Sequence, residues 1–411
     1  MRMLQELSQG ALPRGWNLKI GAAWLVASIG LAYLCYKLAV EEVGFDFRYI
    51  WVAGKLWSAG KSPYGPDFIF TFDELIHALR PISHFWVYPP YWLPIAVPLG
   101  VLPFAFAAKL WGALNIGFVV SAAWLFSRSR GIALAFVLAG LTLVDASVLA
   151  IWYGQTSLIV LIGSSLLLWS TEAKHKTAAA TAALVLLALK PNVGVFFFIF
   201  MMLRRRFGVV IGAACALVLF CIPTILLFDF REFTAFFHAL SQYNAPQTEA
   251  NLPANMTGAV NLLSLAMPDS AARLISLIAM LGSTVALGLA ARAGSESTRL
   301  MGMIVATLVF VPLHDYDLSL LVLPLLWVGS KDRRLTIPAC VLFGILVRPG
   351  WIVSITGLRH PNAGIFHTSL LVSLVILATA VCWIYYLRSP QKDDDFAADV
   401  VRSEEAATQP A

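Results

Sequence analysis

Residues 177–203 read TAAATAALVLLALKPNVGVFFFIFMML, an apolar run with Lys190-Pro191-Asn192 at its centre. Read as a single helix, it would put the flanking basic clusters, Lys174/Lys176 and Arg204/Arg205/Arg206, on opposite sides of a membrane. Basic residues of membrane proteins gather in cytoplasmic loops. Two passages that meet at Lys190 keep both clusters inside. Each passage has about 13 residues and spans roughly 20 Å at helical rise, short of a ~30 Å hydrocarbon core. Lys190 is therefore expected below the outer surface in a wet cavity, because broken backbone at that depth needs protein or water around it.

The same rule orients the rest of the chain. Arg2/Arg14/Lys19, Arg128/Arg130, Arg292/Arg299, Lys331/Arg333/Arg334 and Arg388/Lys392 complete a set of seven basic clusters. All seven lie inside only if two passages separate each from the next. This predicts an all-α, polytopic membrane protein with about twelve transmembrane helices and both termini cytoplasmic. Composition agrees: the chain is 59% hydrophobic and only 13% charged, more apolar than a soluble core requires. The formal net charge of +6 then reflects topology and not nucleic-acid binding. The first apolar run, about residues 18–40, is too long for a signal-peptide core and reads as a retained span. The five cysteines lie in apolar runs without metal-ligand spacing.

Residues 85–103 are apolar but hold Pro89, Pro90, Pro94, Pro98 and Pro103. So many missing backbone donors argue against a lipid-exposed helix. Counting this stretch as a span would also invert every later cluster, so it is expected to be interfacial or re-entrant on the outer side. Long outer loops follow at about 41–103 and 229–268. Residues 1–388 form one membrane domain, and 389–411 are expected to be a disordered cytoplasmic tail. The sequence shows no convincing internal repeat, which disfavours transporter folds built from two related halves.

Six polar motifs then share the outer side: Phe45-Asp46-Phe47, Tyr88-Pro89-Pro90, Tyr153-Gly154-Gln155, Leu189-Lys190-Pro191, Asp229-Phe230-Arg231-Glu232 and His314-Asp315-Tyr316-Asp317. Ionisable groups beside hydrocarbon are costly and usually functional. Asp46 sits between phenylalanines just after the first span, where a raised pKa would suit a general base. The alternative is a solvated loop acid, for which Glu41, Glu42, Asp67, Asp73 and Glu74 are better placed. Lys190 can snorkel, pair, or meet an anionic phosphate at the broken helix end. His314 can bind phosphate as a cation or orient a hydroxyl, and the whole run can also be a wet turn. One His-Asp pair offers too few ligands for a metal site, and no metal is expected. Asp145, inside a span, can pair with Lys190 or face the cavity. Arg231, Arg348 and Arg359 are outer arginines, and an arginine fork suits phosphate.

The order of Asp46, Gly60-Lys61-Ser62-Pro63-Tyr64, Tyr88-Pro89-Pro90, Gly154-Gln155, Leu189-Lys190-Pro191 and His314-Asp315-Tyr316 resembles glycosyltransferase family 87, over roughly residues 20–387. That family is similar to the GT-C class and includes polyprenol-phosphate-mannose-dependent α-mannosyltransferases. The resemblance implies an inverting transfer of a hexose or pentose, mannose favoured, from a polyprenyl-phosphate donor to a lipid or glycan acceptor. The reaction would take place on the extracytoplasmic face of the cell (inner) membrane. It implies Asp46 as catalytic base and Lys190 and His314 on the donor phosphate, where Arg231, as an outer arginine, would join them. Tyr64, Tyr88, Gln155, Asp315 and Tyr316 would contact substrate, with no cofactor and no nucleic-acid partner. The competing reading is a transporter or flippase of lipid-linked sugars, which would also use Lys190 and Asp145. Alternating access would place polar residues toward both faces, whereas this chain concentrates them outside.

Overall fold

The computed structural model describes residues 14–76, 86–171, 177–243, 252–290, 295–363 and 367–388. Among them the chain is helical and contains no strand; Thr257 and Leu313 form an isolated bridge. The expected tail, 389–411, lies outside the described residues, as do Lys174, Lys176 and Arg292.

Helices α1 (Arg14–Val40), α5 (Phe104–Arg130), α11 (Phe207–Phe228), α14 (Asp269–Leu289) and α19 (Ser369–Arg388) are each long and apolar enough to cross a membrane. Two further pairs qualify together but are bent. Helix α6 (Leu134–Leu143) turns by 64° into α7 (Asp145–Tyr153), and α17 (Arg333–Val347) turns by 87° into α18 (Pro349–Thr356). This gives five spans by length and composition, or up to seven if each bent pair is one span. The expected count of twelve would also need passages by helices too short to cross alone. These are α8 (Ser157–Ser170), α9 (Thr177–Ala188), α10 (Pro191–Leu203), α15 (Glu296–Phe310) and α16 (Val322–Lys331). Exposed apolar side chains such as Val218, Leu226, Leu274 and Ile278 on α11 and α14 suit contact with lipid, not water.

The run that began the sequence reading breaks where expected. Helix α9 ends at Ala188, and α10 starts at Pro191, which has no amide hydrogen to lose at a helix N-terminus. The chain folds back sharply between them: a Cβ on Gly194 would fall 2.6 Å from the Leu187 carbonyl oxygen. The broken end leaves carbonyls that need donors. The Tyr91 hydroxyl donates to Ala188 O at 2.6 Å, and the Trp92 indole N–H donates to Leu189 O at 3.0 Å.

Those two aromatics come from the proline-rich stretch, whose helix is too short to cross a membrane alone. Pro90–Trp92 make a 3₁₀ turn that leads into the eight-residue α4 (Leu93–Gly100). Helix α4 packs backbone to backbone on α2 (Phe47–Ser58). A Cβ on Gly54 would lie 1.9 Å from Ala96 O, so this crossing tolerates no side chain. With α3 (Pro66–Ile76), these helices turn most of the long connection between α1 and α5 into a folded unit with its own core. Phe47, Ile50, Trp57, Phe68, Trp86 and Trp92 are all buried there. The amphipathic α12 (Arg231–Tyr243), in the connection between α11 and α14, closes over this core through Glu232, Phe236 and Ala239. Glu232 accepts from the Trp57 indole at 3.5 Å, and Phe236 meets the Tyr64 ring edge-on. A short helix, α13 (Ala259–Leu263), lies farther along the same loop.

Candidate functional site

Asp46 is held by the turn that ends α7. Gly44 N donates to Trp152 O at 2.8 Å, and Asp46 N donates to Tyr153 O at 2.7 Å. The contact is possible because residue 154 is glycine. It has φ +72°, and a Cβ there would lie 2.7 Å from Phe47 Cβ. The Trp111 indole donates to Gly154 O at 2.9 Å and fixes the turn from the other side. Asp46 occupies the N-cap position of α2 but makes no side-chain cap. Its carboxylate instead accepts a hydrogen bond from the Gln155 amide, and Gln155 is itself buried. An N-cap aspartate that leaves its helix uncapped forgoes about 1 kcal/mol of stability, as expected where orientation serves function.

The environment raises the Asp46 pKa. Burial pushes its carboxyl from 3.8 up to about 6, against the lowering pull of the Gln155 amide and of Arg48. Arg48 is partly engaged elsewhere, stacked over Phe45 at 5.1 Å and Phe104 at 5.7 Å.

Residues 155–157, at the start of α8, connect this carboxylate to a second polar group. Thr156 Oγ1 lies 3.4 Å from the Tyr88 hydroxyl. The Ser157 hydroxyl donates to Asp317, and the Lys190 ammonium donates to the same carboxylate oxygen. Lys190 also reaches Ser157 Oγ at 3.5 Å, and Asp317 accepts from His314 N at 3.1 Å. Rings fill the space between the two groups. Tyr153 meets Phe45 on one side and Tyr316 on the other, and His314 lies 5.2 Å from Tyr316. Lys190 stands 5.8 Å above the Tyr316 ring.

Hydrogen bonds and ring contacts thus link Asp46, Tyr88, Gln155, Lys190, His314 and Tyr316. Three other candidates are placed differently. Tyr64 supports the site from behind: its hydroxyl donates to Tyr88 O at 2.6 Å, and its ring packs on Trp57 and Phe236. Arg231 opens α12 and is exposed. Asp315 turns away from Lys190 and accepts from Thr368 on the opposite side of the 3₁₀ segment. Lys190 pairs with Asp317 and not with Asp145. The sequence reading assigned no role to Asp317, Ser157 or Thr156. The only signal was the density of acids after His314, which does not say which acid faces the lysine.

The sequence model of glycosyltransferase family 87 matches residues 86–324, more than half of the chain. The chain belongs to glycosyltransferase family 87. The family match contains Tyr88, Gln155, Lys190, Arg231 and the His314–Asp317 run, while Asp46 and Tyr64 precede it. No curated protein and no solved structure matches the chain. Family 87 membership makes this membrane protein a glycosyltransferase, and a pure flippase reading is set aside.

One expectation arises directly from the turn. Gly154→Ala forces a side chain into the Phe47 contact at a positive φ, and the α2 start must move. This should lower the thermal unfolding midpoint in detergent, with a stability loss of about 1–3 kcal/mol, and reduce activity as well. Unchanged melting would mean that the 44–47 segment does not depend on this contact.

Proposed function

We propose that this family 87 enzyme transfers a hexose or pentose, mannose favoured, from a polyprenyl-phosphate donor to a lipid or glycan acceptor on the extracytoplasmic face, with inversion at the anomeric carbon. The observation that supports this best is the chain of contacts Asp46–Gln155, Ser157–Asp317 and Asp317–Lys190. It joins a carboxylate suited to proton removal with a lysine suited to phosphate through three consecutive residues.

In this reading the acceptor hydroxyl approaches Asp46, whose carboxylate takes its proton. The hydroxyl oxygen bonds to the anomeric carbon from the face opposite the phosphate. The bond from that carbon to the phosphate oxygen breaks, and the electron pair leaves with polyprenyl phosphate. A phosphodiester carries one negative charge and the departing monoester tends toward two, so positive groups there act most strongly as the bond breaks. An ammonium has three donors. Lys190 directs two of them to Asp317 and Ser157, which leaves one for a phosphate oxygen. His314 lies beside it, next to Tyr316.

The pH profile tests the base. With the Asp46 carboxyl raised to about 6, kcat/KM should climb about tenfold per pH unit below that value and level off above it. Stability should run the other way. Between 3.8 and about 6 the folded protein keeps a proton that the unfolded chain has released, so this group lowers stability as pH rises through that window. Asp46→Asn removes both dependences. A wild-type profile flat from pH 5 to 7 would count against Asp46 as the base.

The sidedness of the proposal is checked by cysteine labelling. A cysteine at Arg205 should be shielded from a membrane-impermeant reagent in whole cells, and one at Gly60 should react. Reaction at position 205 would invert the topology and place the site inside. The chemistry is tested with purified protein, a polyprenyl-phosphate hexose and NMR of the product anomer. Retained configuration, or no transfer from any polyprenyl-phosphate sugar, would overturn it.

A further inference from the structure

A second stretch of chain runs beside the His314–Asp317 run. Thr257 N donates to Leu313 O at 2.7 Å, and the Thr257 hydroxyl donates to the same oxygen at 3.1 Å. Just before Thr257 lies the 3₁₀ turn Pro253–Asn255, and the Asn255 carbonyl accepts a hydrogen bond from the His314 imidazole.

That turn is held by Asn261, on the short helix α13. The Asn261 amide donates to Pro253 O at 3.2 Å and to Ala254 O at 3.0 Å, and it reaches Ser369 Oγ at 3.3 Å. The Ser369 hydroxyl, at the start of α19, donates to Ala254 O at 2.7 Å. Gly258 closes the turn with φ +86°; a Cβ there would lie 2.5 Å from Val309 O, and its amide donates to Ser373 Oγ at 3.0 Å. The segment is thereby locked between α15 and α19. Asn255, Thr257, Asn261 and Ser369 are fully buried. Carbonyls at that depth need donors, and Asn261 supplies them. It does so at a cost, because its own Oδ1 is buried without a hydrogen-bond partner among the described residues.

We infer that Asn261 is a positioning residue for His314. It fixes the 253–255 turn, the turn sets the Asn255 carbonyl, and the carbonyl sets the orientation of the imidazole. The consequence for donor binding rests on the glycosyl-transfer reading above; the inference adds what holds His314 in place. The outer torsion of a histidine side chain is broad, so the ring takes its orientation from its hydrogen bonds and its packing. The two ring nitrogens are distinct, and the partner of one determines what the other can do. Packing fixes only the face of the His314 ring, 5.2 Å from the Tyr316 ring above which Lys190 stands. A half-turn about that torsion would keep the ring contact and put carbon where nitrogen stood. The Asn255 carbonyl distinguishes the two settings, and Asn261 keeps that carbonyl in place.

The test uses full-length protein in nanodiscs, with polyprenyl phosphate as the probe and ¹⁵N-labelled histidine as the reporter. Asn261→Leu keeps the approximate size of the side chain and removes the amide donors. The ring-nitrogen signals of His314, assigned with His314→Gln, should shift, while those of the exposed His238 on α12 should stay. Polyprenyl phosphate should bind Asn261→Leu about tenfold more weakly, close to the loss in His314→Ala, as expected for one hydrogen bond to a charged group. The double variant should bind no more weakly than His314→Ala alone, because both changes remove the same interaction. A purely structural Asn261 predicts losses that multiply. If Asn261→Leu does not fold, Ser369→Ala removes one donor to Ala254 O and should give the same ring shift with a loss of about two- to fivefold. The inference is overturned if the His314 signals stay, if the losses multiply in the double variant, or if Asn261→Leu binds polyprenyl phosphate like the wild type. A wild-type protein that binds no polyprenyl phosphate would refute the donor assignment instead, and the His314 signals would then decide by themselves whether Asn261 sets the ring.

Discussion

Asp46→Asn is expected to slow turnover by roughly 10²–10⁴-fold, the range of a general base, which raises the barrier by about 3–5 kcal/mol. The substitution keeps the size of the side chain, and its amide oxygen can still accept from Gln155. It removes only the capacity to take a proton. Donor affinity, measured with polyprenyl phosphate, should therefore remain near the wild-type value, and the loss should appear in kcat. The variant should also be at least as stable as the wild type at neutral pH, because it no longer holds a charge that burial disfavours. Slower catalysis with equal or greater stability is a signature that a folding defect would not produce. Full activity in Asp46→Asn would end the base assignment.

Lys190→Ala should act on both folding and binding. The Lys190 and Asp317 side chains are 14% and 6% exposed, so removing the lysine leaves a buried carboxylate without its counter-ion. Loss of one partner of a buried pair costs about 3–5 kcal/mol, largely through the charge that remains. Donor affinity should fall too, by about ten- to hundredfold, because a charged hydrogen bond to phosphate is lost in ground and transition states alike. The double variant Lys190→Ala with Asp317→Asn separates the two effects. It removes the stranded charge, so thermal stability should largely return, while donor affinity should stay low. Recovery of both would make the pair structural. A snorkelling Lys190 predicts a different result, with both variants close to wild type in stability and binding.

Asp317 is therefore read as a positioning residue. It holds Lys190 beside His314 and takes its own support from Ser157 and the His314 backbone. The same residue run serves two directions. Asp317 faces Lys190, whereas Asp315 faces Thr368.

The sequence by itself determined the helical membrane class, the break at Lys190 and the absence of a long helix in the described part of the proline-rich stretch. Each depends on a local property. Hydrocarbon selects apolar helices, proline removes an amide donor, and basic residues report sidedness whatever the helices pack against. The motif order also carried the family, because each motif lies at a helix end that can be read without knowing its neighbours. Tertiary structure decided who meets whom. Gln155 reaches Asp46 across 109 residues, and Asp317 reaches Lys190 across 127. Asp315 and Asp317 are two residues apart on a 3₁₀ turn with about three residues per turn, so they cannot point the same way. Which of them faced the lysine depended on how that turn was set against α8 and α9. The connection between α1 and α5 shows the same limit. Its aromatics were visible in sequence, but only packing showed that Trp57, Trp86 and Trp92 form a core, and that Tyr91 and Trp92 satisfy the carbonyls left open by the broken helix. Burial and hydrogen-bond satisfaction belong to the assembled chain, and no residue's neighbours in sequence specify them.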